Sequence, residues 1–156
     1  MIVIADTTPL NCLILINQTA VLPILYGRVL IPQAVYNELQ QERTPAAIKA
    51  WIANLPVWLE VREATRPFDQ ALGELDMGEQ EAIALAETLH ADLLILDDRA
   101  ARTEAAKRHL NVIGTLRVLE DAAALELLDF PAVLSQLQRT TFRVSAALVQ
   151  QLLDRH

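Results

Sequence analysis

Five carboxylates fall where short apolar runs give way to helical patterns. Asp6 directly follows Ile2-Val3-Ile4-Ala5, and Asp97 and Asp98 directly follow Leu93-Leu94-Ile95-Leu96. Glu38 lies about two turns into the helical pattern after a second apolar run, and Glu79 opens the pattern Gly78–His90. In open α/β sheets the working crevice lies outside the carboxyl ends of the strands. If the sheet brings these ends together, the acids share one pocket. Two like charges about 4 Å apart repel by about 4 kcal/mol at an effective dielectric of about 20. Raised pKa values or a hard divalent ion relieve that repulsion. Mg²⁺ or Mn²⁺ suits an all-oxygen donor set, and such ions support phosphodiester hydrolysis by activating water and stabilising the leaving oxygen.

Each acid also has a simpler use. Asp6, and one of Asp97 and Asp98, stand where N-caps stand. Glu38 fits a solvated helix face. Asp76-Met77-Gly78-Glu79 has the form of a capping box. The metal reading rests on joint placement over four different elements.

The elements that must position them alternate between strand and helix. Strands are expected at Ile2–Ala5, Arg28–Ile31, Val57–Val61, Leu93–Leu96 and Asn111–Gly114. Helices are expected over Leu10–Asn17, Thr19–Tyr26 stopped by Gly27, and Pro32 to about Glu42. A further helix follows a Thr44-Pro45 cap and ends at Pro56. Gly78–His90 and Arg99–His109 come next, then a helix capped by Thr115 and reaching about Leu128. Arg66–Leu75 fits neither pattern. Four-residue apolar runs between helices predict a parallel sheet covered on both faces. After Asp129-Phe130-Pro131 two helices follow, near Pro131–Arg139 and Ser145–Asp154. Residues 1–130 are expected to form the domain and 131–156 a helical appendage to it. Its leucines suggest association, as a homodimer contact, or cover for a core edge.

Composition narrows the class. Hydrophobic residues make up 53% of the 156 and charged residues 21%, which suits a folded domain with its own core. Net charge is −7, so a broadly basic nucleic-acid face is not the default. Only Lys49 and Lys107 are lysines and the other eleven basic residues are arginines, the better bidentate phosphate ligands. A lone Cys12 forms no internal disulfide, and it reads as a core residue. No basic n-region precedes Arg28, and no run approaches the roughly 18 apolar residues of a membrane span. A soluble, cytoplasmic protein with no membrane partner is expected. No glycine-rich phosphate loop is present, and Asp6-Thr7-Thr8 lacks the second aspartate of a haloacid-dehalogenase motif. No lysine follows Gly114-Thr115 as a receiver domain requires, and His90, His109 and His156 lack zinc-ligand spacing.

Taken in order, the blocks IVIADTTPL, VLIPQAVYNEL, LDMGEQEAIALAETLHADLLILDDRAAR and LNVIGTLRVL resemble PIN-domain proteins, in the PIN-like subgroup akin to VapC-type toxin ribonucleases. The likeness runs from about Ile2 to Leu128, and FRVSAALV near the C-terminus also resembles that subgroup. It implies a three-layer α/β/α sandwich around a parallel sheet of four to five strands. It further implies a metal-dependent ribonuclease using an acidic quartet with Mg²⁺ or Mn²⁺. By position, Asp6, Glu38, Glu79 and Asp98 match that quartet, with Asp97 beside Asp98. Thr7 matches the small hydroxyl residue after the first aspartate. Two positions depart from the pattern: Glu79 stands where toxin-type members more often carry Asp, and Leu96-Asp97-Asp98 replaces a Thr-x-Asp block. Either aspartate is therefore a candidate to face the pocket. Arg99 and Arg102 follow the fourth strand and are candidates to reach substrate phosphate. RNA is the implied substrate, with an antitoxin protein and a second copy of the chain as implied partners. The competing reading is an inactive PIN-like module that binds RNA or protein without turnover.

Overall fold

The computed structural model describes residues 1–64 and 70–156. Five strands form one parallel sheet in the order β3-β2-β1-β4-β5. They are β1 (Val3–Ala5), β2 (Val29–Pro32), β3 (Leu59–Arg62), β4 (Leu93–Ile95) and β5 (Val112–Ile113). Parallel strands need long crossovers, and helices supply them. These are α1 (Thr7–Leu15), α2 (Val21–Tyr26), α3 (Gln33–Glu38), α4 (Ala46–Ala53), α5 (Met77–Leu89), α6 (Arg99–Lys107) and α7 (Thr115–Ala124). Two more, α8 (Phe130–Gln138) and α9 (Ala146–Arg155), close the chain.

Strand alternation divides the core into two layers. Val3, Ala5, Val29 and Ile31 point to one face, where residues of α1, α4, α7 and α8 bury them. Ile4, Leu30, Leu94 and Leu96 point to the other, under α5 and α6. The result is the expected three-layer sandwich. Chain order runs outward from β1 to β2 and β3, then returns to the opposite side of β1 at β4. The topological switch point therefore lies between β1 and β4, where open α/β sheets place their crevice. There the Asp6 amide donates to the Ile95 carbonyl at 3.0 Å, one residue beyond the strand.

Several boundaries differ from the sequence reading. Helix α1 begins at Thr7 rather than Leu10, because Pro9 is tolerated in a first turn. Helix α3 stops at Glu38 instead of Glu42. The amides of Gln40 and Gln41 donate three residues back, and the Thr44 hydroxyl donates to the Glu38 carbonyl at 3.4 Å. With Thr44 turned backward, Pro45 takes the N-cap position of α4. Thr115 is likewise the first residue of α7, with Gly114 at the N-cap. Of the stretch Arg66–Leu75, residues 65–69 lie outside the described residues, and Gln70–Leu72 forms a 3₁₀ turn. Among the described residues no helix is long and apolar enough to cross a membrane.

Residues 131–156 are tied into the same core. Val133, Leu134 and Leu137 of α8 are buried, as is Leu152 of α9. The apolar face of α8 is therefore occupied within the chain, while Leu153 of α9 stays exposed. Leu137→Ala should cost about 2–5 kcal/mol, the range for a buried leucine. Urea denaturation checks this, and a loss below about 1 kcal/mol would show that α8 is dispensable to the core.

Candidate active site

Helix α1 needs an N-cap, and Asp6 has the extended backbone of one, yet its side chain accepts no capping bond. Its carboxylate is buried instead, only 4% exposed, and Oδ1 has no hydrogen-bond partner. An orphaned buried carboxylate oxygen is costly and calls for a reason. Burial pushes the Asp6 pKa up to about 8. The neighbouring Thr7 amide opposes the shift, while the charges of Asp76, Glu79 and Glu38 add to it.

Three oxygens meet beside Gly78 in the first turn of α5. The Thr7 hydroxyl donates to Glu38 Oε2 at 2.8 Å. A Cβ at residue 78 would stand 3.1 Å from Glu38 Oε2 and 3.3 Å from both Asp6 Oδ1 and Thr7 Oγ1. The missing side chain thus leaves α5 close against a carboxylate, a hydroxyl and a second carboxylate.

The capping box forms as the sequence suggested. The Glu79 amide donates to Asp76 Oδ1 at 2.8 Å, and the Asp76 amide donates to Glu79 Oε1 at 3.1 Å. Capping does not remove Glu79 from the cluster. Burial raises its pKa to about 7, against the pull of the Asp76 amide, and the charges of Asp76, Asp98 and Glu38 raise it further.

The two aspartates after β4 differ. Both oxygens of Asp97 are held by Thr115, from its amide at 2.9 Å and its hydroxyl at 2.6 Å. Burial still raises the Asp97 pKa, and Arg102 opposes the rise. Asp98 caps α6 through Oδ2 alone, accepting from the Ala101 amide at 3.0 Å. Gly114 makes the Asp97 clamp possible, since a Cβ there would stand 2.7 Å from Asp97 Oδ1.

Two clefts open over these acids. The first, of about 840 Å³, is lined by Asp76, Glu79, Asp97 and Asp98, with Phe142 and Leu152 from the C-terminal segment opposite. The second, of about 810 Å³, includes Thr7 and Glu38. Asn11 and Thr141 border both, and the buried Asp6 lines neither. A family model described as PIN domain matches residues 2–156. The chain belongs to the PIN-domain family. Among solved structures, this PIN domain is similar to a PilT N-terminus domain protein from the hyperthermophilic archaeon Sulfolobus solfataricus P2. The TM-score is 0.56 at 19% identity, over 78% of this chain and 93% of that one, a likeness of fold. No curated protein matches the chain.

The fold of this PIN domain brings Asp6, Thr7, Glu38 and Glu79 together, with Asp98 within electrostatic reach of Glu79. Arg102 borders the first cleft beside Asp97, whereas Arg99 lines a side groove with Arg102 and Thr103. Among the described residues, no three acidic, imidazole or thiolate groups form a ready-made metal cage. The donor set nonetheless fits a hard cation, because the orphaned Asp6 Oδ1 and the Gly78 gap supply anionic oxygen and room. Cys12 is core, its thiol pushed up to about 12 by burial and by Asp97. Sequence reasoning missed Asp76 as part of the charge cluster, though its capping partner Glu79 pointed there. It also missed Gly78, Gly114 and Thr115, and the Thr115–Asp97 pairing across 18 residues has no local signature.

A pH dependence follows. Asp6 and Glu79 shift upward from 3.8 and 4.5, to about 8 and about 7. In the metal-free fold they hold protons that the unfolded chain has released. Their stabilising contribution is complete below about pH 4 and is lost as pH rises through about 7 and 8. The melting temperature in EDTA should fall over that window, and Asp6→Asn should remove the larger part of the fall. A slope unaltered in Asp6→Asn would show that Asp6 is not the titrating group.

Proposed function

We propose that this PIN domain is an endoribonuclease dependent on Mg²⁺ or Mn²⁺. The observation that carries the reading is the buried, unpartnered Asp6 Oδ1 facing Glu38 and Thr7 across the Gly78 gap. Asp6 is the central anionic ligand in this reading. Glu38, Glu79 and Asp98 complete the donor set, directly or through water. Thr7 orients Glu38 through its 2.8 Å hydrogen bond. Asp97 supports from behind, since Thr115 takes both of its oxygens. A bound ion supplies stabilisation of negative charge on the phosphate and eases deprotonation of water. Arg102 stands where it meets a substrate phosphate at the rim of the first cleft.

The likeness to VapC-type toxins supports a finer form of the proposal: a cytoplasmic toxin, homodimeric and masked by an antitoxin protein. With the α8 leucines buried, pairing falls to other surface, where Ile24 and Val57 are exposed. One observation favours the rival, an inactive RNA- or protein-binding module: Glu79 and Asp98 are already engaged as caps.

Cleavage of single-stranded RNA with and without Mn²⁺ separates the two. Removing outer partners of metal ligands costs about 10–100-fold, so losing a direct ligand in Asp6→Asn should cost more than about a hundredfold. Full activity in a clean preparation of that variant would sink the nuclease reading. Gly78→Ala gives a second check. A melting curve in EDTA shows whether the fold absorbs the added Cβ, which would stand 3.1 Å from Glu38 Oε2 and 3.3 Å from Asp6 Oδ1 and Thr7 Oγ1. That Cβ crowds the three oxygens, so Mn²⁺ should bind more weakly by calorimetry. Equal affinity would mean that the gap serves no ion.

A further inference from the structure

The arginines divide by location. Arg28 and Arg62 pair with Glu60, Arg108 with Glu87 and Glu104, Arg117 with Asp121, and Arg155 with Glu120. Among the described residues, Arg43, Arg99, Arg102, Arg139 and Arg143 make no ion pair or hydrogen bond. Four of these five border the two clefts that meet over the carboxylates. Arg102 and Arg143 line the first cleft, and Arg43 and Arg139 line the second. In a chain of net charge −7, four arginines without an ion pair along this rim, Arg102 beside Asp97 among them, are a local concentration of positive charge.

One short connection serves both clefts. Arg139 ends α8 and Arg143 lies four residues on, before α9. The turn between them is held by the Thr140 hydroxyl, which donates to the Leu137 carbonyl at 2.6 Å and accepts from the Phe142 amide at 3.1 Å. Phe142 packs against the core, and Thr141 stands where the clefts join. The connection therefore sends one arginine to each side of the acidic centre. Guanidinium groups bind phosphate bidentately. An acidic crevice repels a phosphate strand, and cations on both flanks offset that repulsion.

We propose that one single-stranded RNA lies across both clefts, with phosphates on Arg102 and Arg143 on one side and on Arg43 and Arg139 on the other, so that the cut falls inside the strand. The position of the cut rests on the nuclease reading, whereas the binding track does not. Residues 139–143 thereby belong to the substrate path as well as to the core edge.

The test is fluorescence anisotropy of a labelled oligouridylate with the full chain in EDTA, titrated over salt concentration. Each phosphate contact on a single strand contributes about 0.7 to the slope of log K against log salt. The doubles Arg43→Ala/Arg139→Ala and Arg102→Ala/Arg143→Ala should each reduce that slope by about 1.4, while Arg28→Ala leaves it unchanged. Oligothymidylate tells RNA from DNA as the bearer of the phosphates, and with either the losses must follow the same two pairs. An unchanged slope in either double variant overturns the track. So does poly-glutamate binding that depends on these arginines when oligouridylate does not bind, which would mark a surface for an acidic protein. Arginine-dependent binding without cleavage under Mg²⁺ or Mn²⁺ sinks the nuclease reading and leaves the track standing. Cleavage with unaltered slopes does the reverse.

Discussion

Burying one carboxylate at the end of the central strand constrains much of what surrounds it. Asp6 sits at the switch point of the sheet, where its amide continues the pairing of β1 with β4. Its side chain is buried there, only 4% exposed. An ionised group in that position needs compensation, and neutral hydrogen-bond donors do not supply it at Oδ1. The local design leaves the deficit standing. Glu38, Glu79 and Asp76 add negative charge, and Gly78 opens space where a methyl group would otherwise sit. The proposed cation would offset that deficit from solution.

The second ring of contacts keeps the acids in place without neutralising them. Thr7 holds Glu38, the Asp76–Glu79 box fixes the start of α5, and Thr115 clamps Asp97 against the end of β4. Each contact uses an amide or hydroxyl. Of the guanidinium groups, Arg102 acts on Asp97 from the rim of the first cleft, and Arg43, Arg139 and Arg143 line the cleft rims. Negative charge at the centre and positive charge at the flanks suit a polyanion that must approach a metal site while being held on either side of it.

The strands and the helix-covered parallel sheet were readable because short, uniformly apolar runs admit few alternatives once helices intervene, whereas the order β3-β2-β1-β4-β5 has no local signature. Asp6, Glu79 and the Asp97–Asp98 pair stood out as candidates because each follows a strand or opens a helix, and Glu38 stood out by its place about two turns after the second strand. The choice between Asp97 and Asp98 was not readable, since only the distant Thr115 distinguishes them. The ends of α3 and the cap of α4 escaped for a similar reason: the Thr44 hydroxyl turns back to Glu38 instead of forward. The C-terminal leucines show amphipathic spacing, which marks a buried face without saying what buries it. Here α8 turns that face onto the core. Of the arginine rim only Arg102 was readable, by its place after the fourth strand; Arg43, Arg139 and Arg143 come from segments whose approach to the clefts has no local signature.

The central claim concerns where a cation binds. Crystals soaked with Mn²⁺ and measured at the manganese absorption edge test it most directly. The account predicts an anomalous peak against Asp6 Oδ1 and Glu38, in the space beside Gly78. A crystal with intact site geometry and no peak there, or with a peak only at surface carboxylates elsewhere, would contradict it.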